Sequence, residues 1–216
     1  MRMRRKTNLD KRMEMCAYLL VSEPERLSGH WLNTFDFEGT RYNGLHVELG
    51  CGKGLFTVET ANEMPNVLLI ALEKITNVLV IALERTGQSK LQNIKYINRL
   101  ANDLDDFFSP GEVARIYINF CDPWPARRHA KRRLTAAPFL DLYRQILCPG
   151  GDIFFKTDNL PLYEYSLREF ERSGFSVSDE TRNLHEFGPA GIMTDYELKF
   201  YEQGIAVCRC VATVLS

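Results

Sequence analysis

His46 to Gly54 reads H-V-E-L-G-C-G-K-G, and this stretch decides the fold. Leu45 to Leu49 has the apolar density of a buried strand and carries one acid, Glu48, near its end. Glycines then alternate at Gly50, Gly52 and Gly54 before a helical pattern over Leu55 to Met64. A strand that opens through a glycine-rich turn into a helix is the first half of a βαβ unit, and glycine lets backbone approach a ligand that side chains would exclude.

The same alternation continues outward. Short β-rich runs fall at Val67 to Leu72, Ile94 to Asn98, Val113 to Phe120, Asp152 to Thr157, near Phe175 to Ser178, and Ala206 to Val214. Helical patterns occupy Thr76 to Ser89, Ala136 to Ile146 and Pro161 to Arg172, with Pro149-Gly150-Gly151 marking a turn before the fifth strand. Strands alternating with helices predict an α/β, doubly wound, Rossmann-like sheet that is mostly parallel. With 216 residues the chain is expected to form one domain, 1-216. A basic, helical extension is expected at 1-40. An insertion at 183-204 has no clear strand and is expected to contact substrate.

Charge is unevenly placed. The net charge is −1, yet Met1 to Arg12 holds six basic residues and one acid, and Arg127 to Arg133 holds five basic residues. Two cationic segments on an acidic body suit a polyanionic partner, although a solvated face and a frayed terminus would look the same in charge alone. Six cysteines without C-x-x-C pairing predict reduced thiols in a cytoplasmic protein, and no metal site. Val67 to Leu83 is too interrupted by Glu73, Lys74, Thr76 and Asn77 to cross a membrane.

Two acids fit the glycine turn. Glu73 lies 19 residues beyond Gly54 at the tip of the second strand, where a carboxylate can accept both hydroxyl protons of a ribose. A mononucleotide P-loop is excluded, because Lys53 is followed by Gly54 rather than Ser or Thr. A dinucleotide site remains a competitor, but its fingerprint spaces glycines differently and seats a pyrophosphate that Glu48 would repel. A carboxylate at that place suits a cationic or zwitterionic ligand, such as the sulfonium and amino-acid portion of S-adenosylmethionine.

Asn119 to Arg133 reads N-F-C-D-P-W-P-A-R-R-H-A-K-R-R. Pro123 and Pro125 forbid continuation of the fourth strand, so Asp122 and Trp124 are expected where that strand opens into a cleft. Capping of the next turn and simple packing are the duller roles for these two side chains. Asp158-Asn159 could equally be a plain helix N-cap.

These motifs resemble the bacterial tRNA guanine-N7 methyltransferases, over nearly the whole chain. The resemblance rests on M-R-M-R-R-K at Met1 to Lys6, V-E-L-G-C-G-K-G, Glu73, N-F-C-D-P-W-P with R-H-A-K-R-R-L, F-K-T-D-N at Phe155 to Asn159, and I-M-T-D-Y-E at Ile192 to Glu197. It implies a class I methyltransferase sheet with an antiparallel C-terminal strand, S-adenosyl-L-methionine as cofactor, and methyl transfer to guanosine N7 in the tRNA variable loop. The partner it implies is tRNA, bound by a monomer or homodimer with neither metal nor membrane involved.

By that resemblance Glu48, Gly50, Gly52, Gly54, Glu73 and Asp122 contact the cofactor, with Asp122 also catalytic. Asp158, Thr194, Asp195, Tyr196 and Glu197 contact the nucleoside. From their charge, Arg128, Lys131, Arg132 and Arg133, together with Arg2, Arg4, Arg5 and Lys6, are expected to grip RNA phosphates, with His129 beside them in the RNA-binding turn. Two positions depart from the family pattern. Leu100 stands where an acid usually meets the adenine amino group, leaving that task to backbone or Asn102, and Ala126 stands where a lysine usually follows D-P-W-P. A nicotinamide oxidoreductase, a catalytically silent RNA-binding module and a methyltransferase with another acceptor stay open as alternatives.

Overall fold

A computed structural model describes residues 6–35 and 42–215. The extension at 1-40 is thus described only over 6–35, and Arg2, Arg4 and Arg5 lie outside the described residues. Seven strands form one sheet in the order β3-β2-β1-β4-β5-β7-β6. They are β1 (Gly44–Leu49), β2 (Val67–Leu72), β3 (Ile94–Ile97), β4 (Val113–Asn119), β5 (Leu147–Thr157), β6 (Phe175–Thr181) and β7 (Cys208–Val214). The first five pair in parallel, and β7 runs antiparallel between β5 and β6.

The helices are α1 (Leu9–Met15), α2 (Trp31–Thr34), α3 (Leu55–Glu63), α4 (Thr76–Ser89), α5 (Leu104–Phe107), α6 (Ala137–Ile146), α7 (Leu160–Arg172) and α8 (Asp195–Glu202). Among the described residues no helix is long and apolar enough to cross a membrane.

The central strands are apolar on both faces because helices cover both. From Leu68 to Leu72 every β2 residue is buried, as a strand sandwiched between helix layers requires. Edge strand β6 instead buries only Phe175 fully. On the side of α6 and α7, Phe155, Tyr163, Phe170 and Phe175 form a chain of ring contacts 6.0 to 6.4 Å between centroids. Trp31 of α2 is fully buried, and its indole N–H donates to the Phe107 carbonyl at 2.8 Å. That bond fastens the N-terminal extension to the body.

Two elements differ from expectation. The fifth strand starts at Leu147 rather than Asp152, because Pro149-Gly150-Gly151 makes an irregularity within it, where the pairing register to β4 shifts between Val113 and Arg115. The interval 183–204 contains α8, begun by a full capping box. The Thr194 side chain accepts from the Glu197 N–H, and the Glu197 carboxylate accepts from the Thr194 N–H. T-D-Y-E is the spacing such a box requires.

Strand order reverses between β1 and β4, so the connections leave these neighbours toward opposite sides of the sheet. A crevice opens at their carboxyl ends.

Candidate active site

That crevice is a cleft of about 750 Å³. Glu48, Gly50 and Gly52 line it from the end of β1, Glu73 from β2, Arg99 to Asn102 from β3, and Asn119, Asp122 and Trp124 from β4. Thr194, Asp195, Tyr196 and Lys199 close it from the α8 side.

The glycine turn holds its shape by bonding to β2, since the N–H groups of Gly50 and Cys51 both donate to the Leu72 carbonyl at 2.9 Å. Gly50 and Gly52 have φ of 80° and 58°. A Cβ at either would meet nothing within 4 Å, so it would project into open space beside the cleft. Gly54 is different, because a Cβ there would fall 2.7 Å from the Ala82 Cβ. It permits α3 and α4 to pack closely.

Glu48 is 1% exposed. Its Oε2 accepts from Thr57 Oγ1 at 2.6 Å, and Asn119 Nδ2 approaches Oε1 at 3.5 Å. Burial outweighs these bonds and pushes its pKa up to about 7. Glu73 accepts from the Gly52 N–H at 3.2 Å and from the Ile75 N–H at 2.8 Å, and its pKa is also raised by burial. Asn98 donates to the Glu73 carbonyl at 2.7 Å and accepts from Thr76, locking the strand tip to the start of α4. A wall with two poorly hydrated carboxylates favours a ligand that brings positive charge or hydroxyl donors.

The loop after β4 is strained around Asp122. Phe120 and Trp124 have φ of 52° and 41°, in the left-handed region that costs a non-glycine residue energy. The Phe120 N–H donates to Lys156 of β5 at 2.9 Å, and the Phe120 ring packs on Phe200 of α8. Arg133 turns inward, donating from Nε to the Pro123 carbonyl at 3.0 Å and from Nη2 to the Trp124 carbonyl at 3.1 Å. It stacks over Tyr165 as well. Two of its nitrogens therefore brace the loop, a use that a run of cations in sequence does not reveal.

Residues Arg127 to Arg132 form a 3₁₀ helix at the rim. Arg128, Lys131 and Arg132 are exposed there, and Lys131 and Arg132 line the cleft. Arg132 lies 5.0 Å over the Trp124 ring, and His129 meets that ring edge-on.

The predicted nucleoside contacts separate into groups. Thr194, Asp195 and Tyr196 face the cleft, Tyr196 with 63% exposure. Glu197 is fully buried, with Oε2 bonded to Lys156 Nζ at 2.6 Å and Oε1 to His185 Nε2 at 3.1 Å. Its carboxylate anchors α8 to β5. Asp158 is exposed but is absent from the cleft wall, and Asn159 rather than Asp158 caps α7, accepting from Leu162 N–H. Leu100, 50% exposed, lines the cleft beside Asn102. Ala126 is exposed before the basic turn.

The family model described as "Putative methyltransferase" matches residues 42–210. A tRNA (guanine-N(7)-)-methyltransferase of Geobacillus kaustophilus (strain HTA426) is 42% identical over 213 residues, covering 98% of this chain and 96% of that protein. The chain belongs to this methyltransferase family. Its sheet is shared with solved methyltransferases of low identity. The 16S rRNA methyltransferase KamB superposes with a TM-score of 0.63 at 16% identity, covering 81% of this chain and 89% of that one. Precorrin-6y C5,15-methyltransferase from Geobacter metallireducens GS-15 gives 0.56 at 16% identity, covering 98% and 94%. These two likenesses concern the fold alone.

The family uses S-adenosylmethionine, and the cleft has the chemistry to hold it. The glycine turn leaves room for backbone contact, Glu48 offers a buried carboxylate to a cation, and Glu73 keeps lone pairs for ribose hydroxyls. Leu100 gives the β3 side an apolar surface, with the Asn102 amide as the neighbouring polar group.

Proposed function

We propose that this protein transfers the methyl group of S-adenosylmethionine to N7 of a guanosine in the variable loop of tRNA. The observation that carries the reading is the sharing of one cleft. Asp122 lines the same cavity as Glu48, Gly50, Gly52 and Glu73, and its loop runs directly into the cationic turn at the rim.

The bound cofactor would supply an electrophilic methyl group on a cationic sulfur. Guanine N7 carries an in-plane lone pair and no proton, so forming the N–C bond as the C–S bond breaks requires no base. The protein's task is then alignment and electrostatics. Positive charge passes from sulfur to the purine during transfer. Asp122, which lines the same cleft as Glu48, Glu73 and the start of α8, would orient the guanine edge and stabilise the charge as it moves.

Thr194 and Tyr196 offer the base a hydroxyl and an aromatic ring beside the cleft, and Asp195, whose two carboxylate oxygens are held by Arg85, would set the start of α8, which supports the segment 183-204 as the acceptor contact. Glu197 would serve by fixing α8, and Asp158 from outside the cleft wall. Turning a base out of its stack costs a few kcal/mol. Tyr196 and Trp124, two of the rings lining the cleft, would offset that by stacking. Arg128, His129, Lys131 and Arg132, with the basic N-terminal segment, would grip phosphates and make binding depend on salt.

Incubating purified protein with unmodified tRNA and radiolabelled cofactor, followed by nucleoside analysis, tests donor, acceptor and ring position together. Label is expected in 7-methylguanosine. Asp122→Ala should lower turnover by about 100-fold or more, the scale of a lost alignment, with cofactor still bound. Label in another nucleoside, or near-normal turnover of that variant, would refute the corresponding assignment.

A further inference from the structure

Arg85 lies in the last turns of α4, outside the cleft wall. Its Nη1 donates to the Lys53 carbonyl at 3.1 Å, within the glycine turn. The same guanidinium forms a bidentate pair with Asp195, Nη1 to Oδ2 at 2.9 Å and Nη2 to Oδ1 at 3.1 Å. Lys53 sits between Gly52 and Gly54, and Asp195 opens α8 between Thr194 and Tyr196. One planar fork therefore joins the backbone of the cofactor turn to the first turn of the acceptor-side helix.

The arrangement matters because α8 has anchors on different sides. Glu197 ties it to β5 through Lys156, and Phe200 packs on Phe120 of the Asp122 loop. The Arg85 fork adds a third anchor, toward the glycine turn. Side-chain exposures of 32% for Arg85 and 28% for Asp195 leave the pair only partly screened by water. Lysine could not replace it, since a single ammonium cannot reproduce the planar fork that meets two carboxylate oxygens and a carbonyl at once.

We propose that Arg85 is a positioning residue that couples the cofactor turn to α8, so that filling the turn sets the Thr194 to Tyr196 segment against the acceptor. This rests on the reading of the cleft as a methyltransferase site. When the donor seats on the turn, the Lys53 carbonyl is fixed, and Arg85 transmits that constraint to Asp195.

Hydrogen exchange of the full-length protein, followed over residues 192–202 with and without S-adenosylmethionine, tests the coupling directly. In the wild type the cofactor should slow exchange there by about fivefold or more, the lower range of a site-to-site coupling. In Arg85→Met and Arg85→Lys that protection should vanish. In these variants KM for tRNA should rise about tenfold, while cofactor Kd stays within about threefold. Asp195→Asn should behave alike and add nothing to Arg85→Met, as partners in one interaction do. It also carries the test alone if Arg85→Met fails to fold. Protection that persists in the variants, or losses that simply add, would overturn the proposal. Arg85-dependent protection in a wild type that leaves tRNA unmethylated would keep the coupling and remove only the acceptor assignment.

Discussion

Replacing Glu48 by glutamine should strengthen the free protein and weaken its hold on the cofactor, and the two effects should separate by pH. Burial raises the Glu48 pKa from 4.5 to about 7. At 1.36 kcal/mol for each tenfold change in proton affinity, the displacement corresponds to about 3 kcal/mol. The unfolded chain ionises this carboxyl near 4.5, whereas the fold keeps it protonated until about 7. Its contribution to stability is therefore complete below pH 4.5 and is lost as pH rises through 7. Glutamine stays neutral throughout and can still accept the Thr57 hydroxyl, so at pH 8 the variant should exceed the wild type in unfolding free energy by up to about 3 kcal/mol.

Cofactor binding should respond in the opposite sense. A cation beside Glu48 binds the ionised form, so wild-type affinity should improve about tenfold per pH unit from about 5.5 to 7 and then level off, with protons released on binding. In Glu48→Gln the profile should be flat and weak. Urea titration of the free protein and calorimetry in buffers of different ionisation enthalpy measure the two halves. A wild-type Kd that does not change between about pH 5.5 and 8, or a variant less stable than the wild type at pH 8, would refute the reasoning.

Two further outcomes follow from the geometry. Gly50→Ala should cost the fold only the left-handed strain of about 1–2 kcal/mol while cofactor affinity falls at least about tenfold, whereas Gly54→Ala, whose Cβ would sit 2.7 Å from that of Ala82, should cost about 3 kcal/mol or more in urea denaturation. Arg128→Ala and Lys131→Ala should each reduce the slope of log affinity for tRNA against log salt by about 0.7 to 0.9 without altering cofactor Kd, while Arg133→Ala should lower turnover and leave the slope unchanged.

The strands and the two acids at the ends of β1 and β2 were readable because their signals are local. A parallel strand buried on both faces shows as an unbroken apolar run, and Val67 to Leu72 is one. Glu48 and Glu73 stand at strand ends, so strand assignment alone places them beside the turn. The α8 segment was less legible, because its anchors span long separations: Glu197 meets Lys156 41 residues away, and Asp195 meets Arg85 at 110. Nothing near Arg85 in the sequence distinguishes it from an ordinary helix-surface arginine. The capping box at Thr194 to Glu197 did carry a local signal. It separates Glu197, spent on the helix start and a buried ion pair, from the cleft-facing Thr194, Asp195 and Tyr196. Charge in the basic turn was equally visible, but only packing distinguishes Arg133 beneath the loop from Arg128 and Lys131 outside it.

The strain at Phe120 and Trp124 ties these observations together. Two non-glycine residues in left-handed conformations cost about 1–3 kcal/mol each, so other contacts must over-determine them. Arg133 clamps the carbonyls of Pro123 and Trp124, Arg132 covers the Trp124 ring, and Phe120 is held between the β5 backbone and Phe200 of α8. Through Phe200 the Asp122 loop shares its support with α8, and through Asp195 and Arg85 α8 shares its own with the glycine turn. A reaction that needs no proton removed depends on alignment above all. In the proposed transfer, three segments that brace one another around a single cleft would supply that alignment.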